Sequence, residues 1–145
     1  MLINLVIGLP TILLCLALQA VFTFWSIRFY TDRALRGANT ASSFDQIRWL
    51  LLVMVVMVMG NFFQIMIWGM LFMVLGEFSE LYEAVYHSAV NFSSLGYGDV
   101  VMTKPWKLLG PLEAADGSLM FGVSTAMVFA VILRLIQTRF ADLRD

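Results

Sequence analysis

The sequence has little that could support catalysis, metal binding or a disulfide framework. Its 145 residues include one cysteine, Cys15, and one histidine, His87, far apart in the chain. A single cysteine forms no intrachain disulfide, and so small a set of ligands cannot build a zinc site. We therefore expect a protein that is not an enzyme and that needs no cofactor.

Charge is also scarce. Only 13% of the residues are charged and the net charge is -1, whereas about a quarter of an ordinary soluble domain is charged. The basic residues form no single patch that would indicate nucleic-acid binding. Hydrophobic residues, by contrast, make up 61% of the chain. This balance predicts an integral membrane protein surrounded by lipids.

Three apolar stretches are long enough to cross a membrane, since a transmembrane helix needs about twenty apolar residues. They run from Leu2 to Trp25, from Leu50 to Phe78, and from about Trp106 or Leu108 to Leu135. Gly8 and Pro10 are expected to bend the first stretch near its start. No Lys or Arg precedes that stretch and no clear small-x-small cleavage site follows it, so we interpret it as a retained helix.

The arginines predict the orientation of the three spans. They lie in the first linker, 26–46, just beyond it, and at the end of the chain: Arg28, Arg33, Arg36, Arg48, Arg134, Arg139 and Arg144. By the positive-inside rule both regions belong in the cytoplasm. The N-terminus is then outside and the C-terminus cytoplasmic, with Glu77, Glu80 and Glu83 at the external face.

A glycine-rich segment, Ser94-Leu95-Gly96-Tyr97-Gly98-Asp99, separates the second and third apolar stretches. Consecutive carbonyls turn toward one axis when residues alternate between right- and left-handed dihedrals, and glycine adopts the left-handed form at the lowest cost. Gly96 and Gly98 have the required spacing. The pattern predicts an ion selectivity filter, with Leu95 and Tyr97 turned away from the axis and Ser94 adding a hydroxyl at the inner end.

This segment resembles the Thr-Val-Gly-Tyr-Gly-Asp signature of the potassium channel pore-module superfamily, and the similarity extends from about Arg48 to the C-terminus. Residues 84–93 stand where such channels carry a pore helix. Leu112-Glu113-Ala114 followed by Gly117 resembles the start of the inner helix in short bacterial members. Here serine replaces the usual threonine at Ser94, and leucine replaces valine or isoleucine at Leu95.

The resemblance implies an all-α membrane protein of two parts. Residues 1–47 would form an additional N-terminal transmembrane helix and a cytoplasmic linker, and 48–145 the pore module. Within the module we expect an outer helix at about 48–78, a pore helix at about 82–93, the filter at 94–99 and an inner helix at about 106–138. A single re-entrant loop cannot surround an ion, and four copies are implied, which gives a homotetramer.

The implied function is passive K⁺ conduction, with K⁺ as the permeant ion at Ser94, Leu95, Gly96 and Tyr97. The departures at Ser94 and Leu95 leave open a non-selective monovalent cation channel of the same architecture. A non-conducting regulatory membrane subunit is a third alternative. The expected location is the bacterial inner membrane.

Four residues are candidates for supporting the filter. Tyr86 and His87 stand where related channels hold aromatic residues, and one of them is expected to hydrogen-bond Tyr97 of a neighbouring subunit. For His87, a purely structural role as a packed or interfacial residue is an equal alternative. Asp99 is expected to accept a hydrogen bond from the pore helix or to form part of the outer mouth. Glu113 is expected to lie behind the pore helix and to contact it through Ser88 or Asn91.

Further candidates lie along the third span. Asp116 shares a helix face with Glu113, because the two are three residues apart. Asp116 is expected to join the same buried network or to face a water-filled cavity. Gly117 and Gly122 are equally consistent with a hinge and with close helix packing. Ala126 begins a stripe of small residues, with Ala130, that suits an inner vestibule.

Gating is not visible in the sequence. The first span lacks the repeated arginines of a voltage sensor, and no segment is long enough for a cytoplasmic ligand-binding domain. Regulation is therefore expected to act on the pore itself or through a separate regulatory subunit. Asn61 and Gln64 share a face of the second span and are expected to form interhelical hydrogen bonds.

Overall fold

The computed structural model describes residues 1–36 and 43–142, with side chains at 1–32 and 44–137. It is all-helical over these residues, with four helices in the order α1 (Leu2–Arg36), α2 (Ser43–Val74), α3 (Leu81–Phe92) and α4 (Leu109–Asp142). Three of them are long and apolar enough to span a membrane, namely α1, α2 and α4. The side chains of Arg33, Arg36, Arg139 and Arg144 lie outside the described residues.

The first linker is much shorter than the sequence indicated. We predicted that residues 26–46 connect two spans, but α1 continues to Arg36 and α2 begins at Ser43. The hydropathy of the sequence falls where a helix leaves the lipid, but the helix itself can continue into water because its backbone hydrogen bonds are kept.

The helix α1 also continues through Pro10. The next residue, Thr11, donates from its hydroxyl to the carbonyl of Ile7 at 2.9 Å.

The outer helix ends earlier than predicted, at Val74 instead of near residue 78. Gly76 has a left-handed backbone, with φ of 76°, and its amide donates to the carbonyl of Met73 at 3.0 Å. The amide of Glu77 then donates to the carbonyl of Phe72 at 3.0 Å. A left-handed glycine with backward hydrogen bonds terminates an α-helix, so the chain turns here toward α3.

The long helices α1, α2 and α4 pack against one another, and the short helix α3 lies against α2 and α4. One apolar cluster is near the α3 end of the bundle: Cys15, Trp68, Phe72, Phe92, Met102, Leu109 and Met120. A second is nearer the other end: Val53, Met57, Met127 and Val131. Few residues of each span are buried, and large apolar side chains such as Val58 and Phe62 are exposed, which is the surface expected to face lipid.

A polar layer separates the two clusters and fixes the position of α1. The buried Gln19 side chain donates to Ser124 Oγ on α4 at 3.0 Å and accepts from Gln64 Nε2 on α2 at 2.7 Å. Asn61 Nδ2 on α2 also donates to Ser124 Oγ, at 3.2 Å. The sequence predicted that Asn61 and Gln64 form interhelical hydrogen bonds, but it did not identify their partners. The N-terminal helix therefore packs against the α2–α4 pair of its own chain.

Candidate functional site

The segment between α3 and α4 has the backbone alternation that the glycine spacing predicts. Left-handed φ values occur at every second residue, 58° at Ser94, 60° at Gly96 and 75° at Gly98. This alternation directs successive carbonyls toward one side of the chain. The third left-handed position, Ser94, was missed, because a serine gives no sequence signal for a positive φ.

The inner end of this segment is continuous with the C-terminus of α3. The amide of Ser94 donates to the carbonyl of Asn91 at 2.8 Å, and the amide of Leu95 donates to that of Val90 at 3.0 Å. These bonds use carbonyls that the helix leaves unpaired at its end. The helix therefore directs the negative end of its dipole at the start of the segment, which favours a cation there.

The single chain forms only one wall of a site. Leu95 and Tyr97 are 58% and 67% exposed, and a Cβ placed on Gly96 or Gly98 meets no atom within 4 Å. Irregular backbone at membrane depth is stable only where protein or a water-filled cavity surrounds it. In the single chain this side of the segment is uncovered.

The outer end of the segment is tied to α3 by Tyr86 and Asp99. Tyr86 Oη donates to Asp99 Oδ2 at 2.6 Å, and Asp99 Oδ1 accepts from the amide of Val100 at 3.0 Å. The hydrogen bond from Tyr86 lowers the pKa of Asp99 and raises the pKa of Tyr86. Asp99 is therefore an ionised acceptor that holds the end of the filter segment on the helix.

His87 also holds this loop, and both of its ring nitrogens lie close to polar groups of the same chain. Its Nδ1 lies 3.0 Å from the carbonyl oxygen of Val100, and its Nε2 lies 2.9 Å from Asn91 Nδ2. A carbonyl only accepts and an amide nitrogen only donates, so the proton is on Nδ1. Burial lowers the pKa of His87. Both ring nitrogens of His87 thus have partners within the chain, and the expected bond from Tyr86 or His87 to Tyr97 of a neighbour stays a prediction.

Glu113 lies behind the pore helix. Its carboxyl group is fully buried and one oxygen accepts a short hydrogen bond from Ser88 Oγ. Ser88 Oγ is also 2.8 Å from the carbonyl oxygen of Ile65 on α2. Ser88 thus connects α2, α3 and α4 at a single point, close to the start of the inner helix.

Asp116 faces protein and not a water-filled cavity. It is 2% exposed, and Trp68 Nε1 on α2 donates to its Oδ2 at 2.9 Å. The buried thiol of Cys15 on α1 lies beside the same carboxyl group. A charged residue in a span usually faces the protein interior, and here it joins the two outer helices to the inner helix.

Three small residues of α4 have different surroundings. Gly117 is packed so closely that a Cβ there would lie 1.9 Å from the carbonyl oxygen of Phe92, so this glycine is a packing contact. Gly122 has open space where a Cβ would be added. Ala126, one helical turn further, is exposed.

Two contacts of this site were not anticipated from the sequence. Ser118 Oγ, next to Gly117, lies 3.2 Å from Ser94 Oγ. Glu77, at the start of the α2–α3 turn, accepts from the amide of Thr103 at 2.7 Å and from its hydroxyl at 2.5 Å. Both pairs join residues distant in sequence, and no spacing rule could have found them.

Comparison with known families agrees with this architecture. The family model described as "Ion channel" matches residues 50–134, which include most of α2, all of α3 and the filter segment, and most of α4. The chain therefore belongs to this ion channel family, the two-transmembrane-helix domain of the potassium channel pore-module superfamily. It is an integral membrane protein. No curated protein and no solved structure matches the chain.

Proposed function

We propose that the chain is one subunit of a K⁺-selective channel that conducts passively through backbone carbonyls. The observation that carries this proposal is the alternation of left-handed dihedrals at Ser94, Gly96 and Gly98. Rings of carbonyl oxygens can replace the hydration shell of K⁺. The ion sites would be formed by Ser94, Leu95, Gly96 and Tyr97 from each copy.

The assembly we propose is a fourfold homotetramer. Its support is the open side of the filter segment, where Leu95 and Tyr97 are exposed. In addition, Gly122, Ala126 and Ala130 form an exposed stripe of small residues at every fourth position of α4. Residues four apart share a helix face, and this face would line a wide vestibule below the filter.

We further propose that the filter opens to the outside of a bacterial inner membrane. Arg28 lies in the last part of α1 and Arg48 near the start of α2, whereas Asp99 follows α3, beyond the other end of α2. The positive-inside rule assigns the end of the bundle that carries the arginines to the cytoplasm. Lipids surround the spans, and a separate regulatory subunit is a further expected partner.

The test is ion flux from proteoliposomes that contain the purified chain. Liposomes loaded with K⁺ should release it down its gradient, barium should block the release, and matched liposomes loaded with Na⁺ should release little. Equal release of both ions would assign a non-selective cation channel. Absence of flux from a correctly folded oligomer would assign a non-conducting subunit.

A further inference from the structure

The inner helix contributes a hydroxyl to the inner end of the filter segment. Ser118 Oγ lies 3.2 Å from Ser94 Oγ. Ser118 also donates to the carbonyl oxygen of Ala114, one turn back in α4, at 2.9 Å. The filter serine is thus hydrogen-bonded to a residue of its own chain that lies 24 positions further on.

Counting donors fixes the direction of the bond between the two serines. A serine hydroxyl carries one proton and two lone pairs, and a carbonyl oxygen can only accept. Because the proton of Ser118 is used by Ala114, Ser118 can only accept from Ser94. The proton of Ser94 is therefore held by Ser118, and the lone pairs of Ser94 Oγ stay available to a cation.

The contact depends on how closely α4 approaches the end of α3. Gly117 brings the backbone of α4 against the carbonyl of Phe92, where a Cβ would lie 1.9 Å from the oxygen. Ser118 follows directly, and Ser94 is two residues beyond Phe92. The left-handed backbone of Ser94, with φ of 58°, is uncommon for a residue other than glycine, and its hydroxyl is anchored here by Ser118.

We propose that Ser118 is a positioning residue for the innermost K⁺ site. It removes the proton of the Ser94 hydroxyl from the ion path, so that the oxygen acts as a ligand throughout. The inference rests on the proposed function, because it assigns a role only if the Ser94 ring binds K⁺. A free Ser94 hydroxyl would rotate, and whenever its proton faced the path its oxygen would be a poorer ligand.

The test is barium block of K⁺ current in planar bilayers. Barium is close to K⁺ in size but doubly charged, and when applied from the side of the α4 C-terminus it meets Ser94 before the other filter residues. Ser118→Ala should weaken the block by about two- to tenfold, the factor that corresponds to one lost hydrogen bond. Ser118→Thr keeps the hydroxyl and should restore wild-type block.

Ser93→Ala is the matched control. Ser93 is adjacent to Ser94, but its hydroxyl donates back to the carbonyl of Ala89 at 2.6 Å, so its loss should leave the block unchanged. Unchanged block in Ser118→Ala would overturn the proposal. Equal weakening in Ser118→Ala and Ser118→Thr, or loss of the assembly in Ser118→Ala, would assign Ser118 to packing and overturn it as well. Absence of K⁺ current in the wild type would instead refute the proposed function itself.

Discussion

Gly117 of the inner helix lies directly against the carbonyl of Phe92, at the end of the pore helix, where a Cβ would come within 1.9 Å of the oxygen. Real Cβ atoms do not approach an oxygen so closely, and the obstacle is backbone, which cannot rotate away. The pore helix and the inner helix are therefore held together at the point where the filter segment begins. This contact relates the packing of the bundle to the geometry of the proposed ion sites.

Gly117→Ala should disrupt the filter by separating these two helices. Adding a methyl group to a tight contact destabilises the folded state by about 1–3 kcal/mol. The backbone that it would displace, at Phe92, leads directly into Ser94. We expect reduced thermal stability of the oligomer in detergent and reduced discrimination between K⁺ and Na⁺ flux. Gly122→Ala is the control, since open space surrounds Gly122. Similar behaviour of the two variants would contradict a specific role of the Gly117 contact.

Gly96→Ala should abolish K⁺ selectivity because φ at Gly96 is 60°. A left-handed backbone costs a residue with a Cβ about 1–2 kcal/mol, so the carbonyl alternation would relax. Gly76→Ala is a matched control, since Gly76 has φ of 76° and free space around it but lies outside the filter. Both variants should lose stability, while only Gly96→Ala should change the ratio of K⁺ to Na⁺ flux. An altered ratio in Gly76→Ala would show that strain alone accounts for the effect.

Tyr86→Phe should lower the stability of the folded oligomer near neutral pH, and the difference from the wild type should shrink in acid. The hydrogen bond from Tyr86 holds the pKa of Asp99 below its ordinary value of 3.8. A carboxylate with a lowered pKa stabilises the folded state above its unfolded pKa, and this contribution is lost as pH falls through the folded pKa. Without the hydroxyl the folded pKa of Asp99 moves back toward its unfolded value, so the variant lacks this contribution above the unfolded pKa and has less stability to lose as pH falls.

The measurement for Tyr86→Phe is thermal unfolding of the oligomer as pH is lowered from about 5 to about 2, the range in which paired carboxylates are protonated. Tyr82→Phe is the control, because Tyr82 is on the same helix and is 79% exposed. An unfolding temperature of Tyr86→Phe equal to that of the wild type at about pH 5, or a difference between them that does not narrow toward about pH 2, would refute the anchoring role of this bond.

Much of the architecture could be predicted from the sequence, for a physical reason. Long apolar runs can only be stable in lipid as helices, and Gly96 and Gly98 mark a backbone that few other residues adopt. The positions of the three spans and the left-handed filter glycines follow from these local properties. The sequence did not show how far α1 extends, because a helix that leaves the lipid loses hydropathy without losing its hydrogen bonds.

Contacts between distant residues could not be predicted. Trp68 and Asp116 are 48 positions apart, and neither residue carries a signal that identifies the other. For the same reason, the sequence left open whether Asp116 faces a cavity and whether Gly117 is a hinge. Both questions are decided by how α4 packs against α2 and α3, and the structure gives buried packing in each case.

Gln19→Leu should weaken the attachment of α1 to the rest of the chain. It removes the partner of Gln64 Nε2 and one partner of Ser124, and interhelical hydrogen bonds in a membrane are worth about 0.6–2 kcal/mol each. We expect a lower unfolding temperature with K⁺ selectivity retained, since the polar layer is remote from the filter in sequence and contacts. The control is Leu14→Ala, at a position 55% exposed. A larger loss of stability in Leu14→Ala would contradict the position of α1.

The most direct test of the central claim is the reversal potential of the current with K⁺ on one side of a planar bilayer and Na⁺ on the other. If the carbonyls of residues 94–98 from several copies replace the hydration shell of K⁺, the current should reverse only at a large potential that opposes K⁺ entry into the Na⁺ compartment. A reversal potential near zero would show that the pore does not distinguish the two ions and would contradict the account.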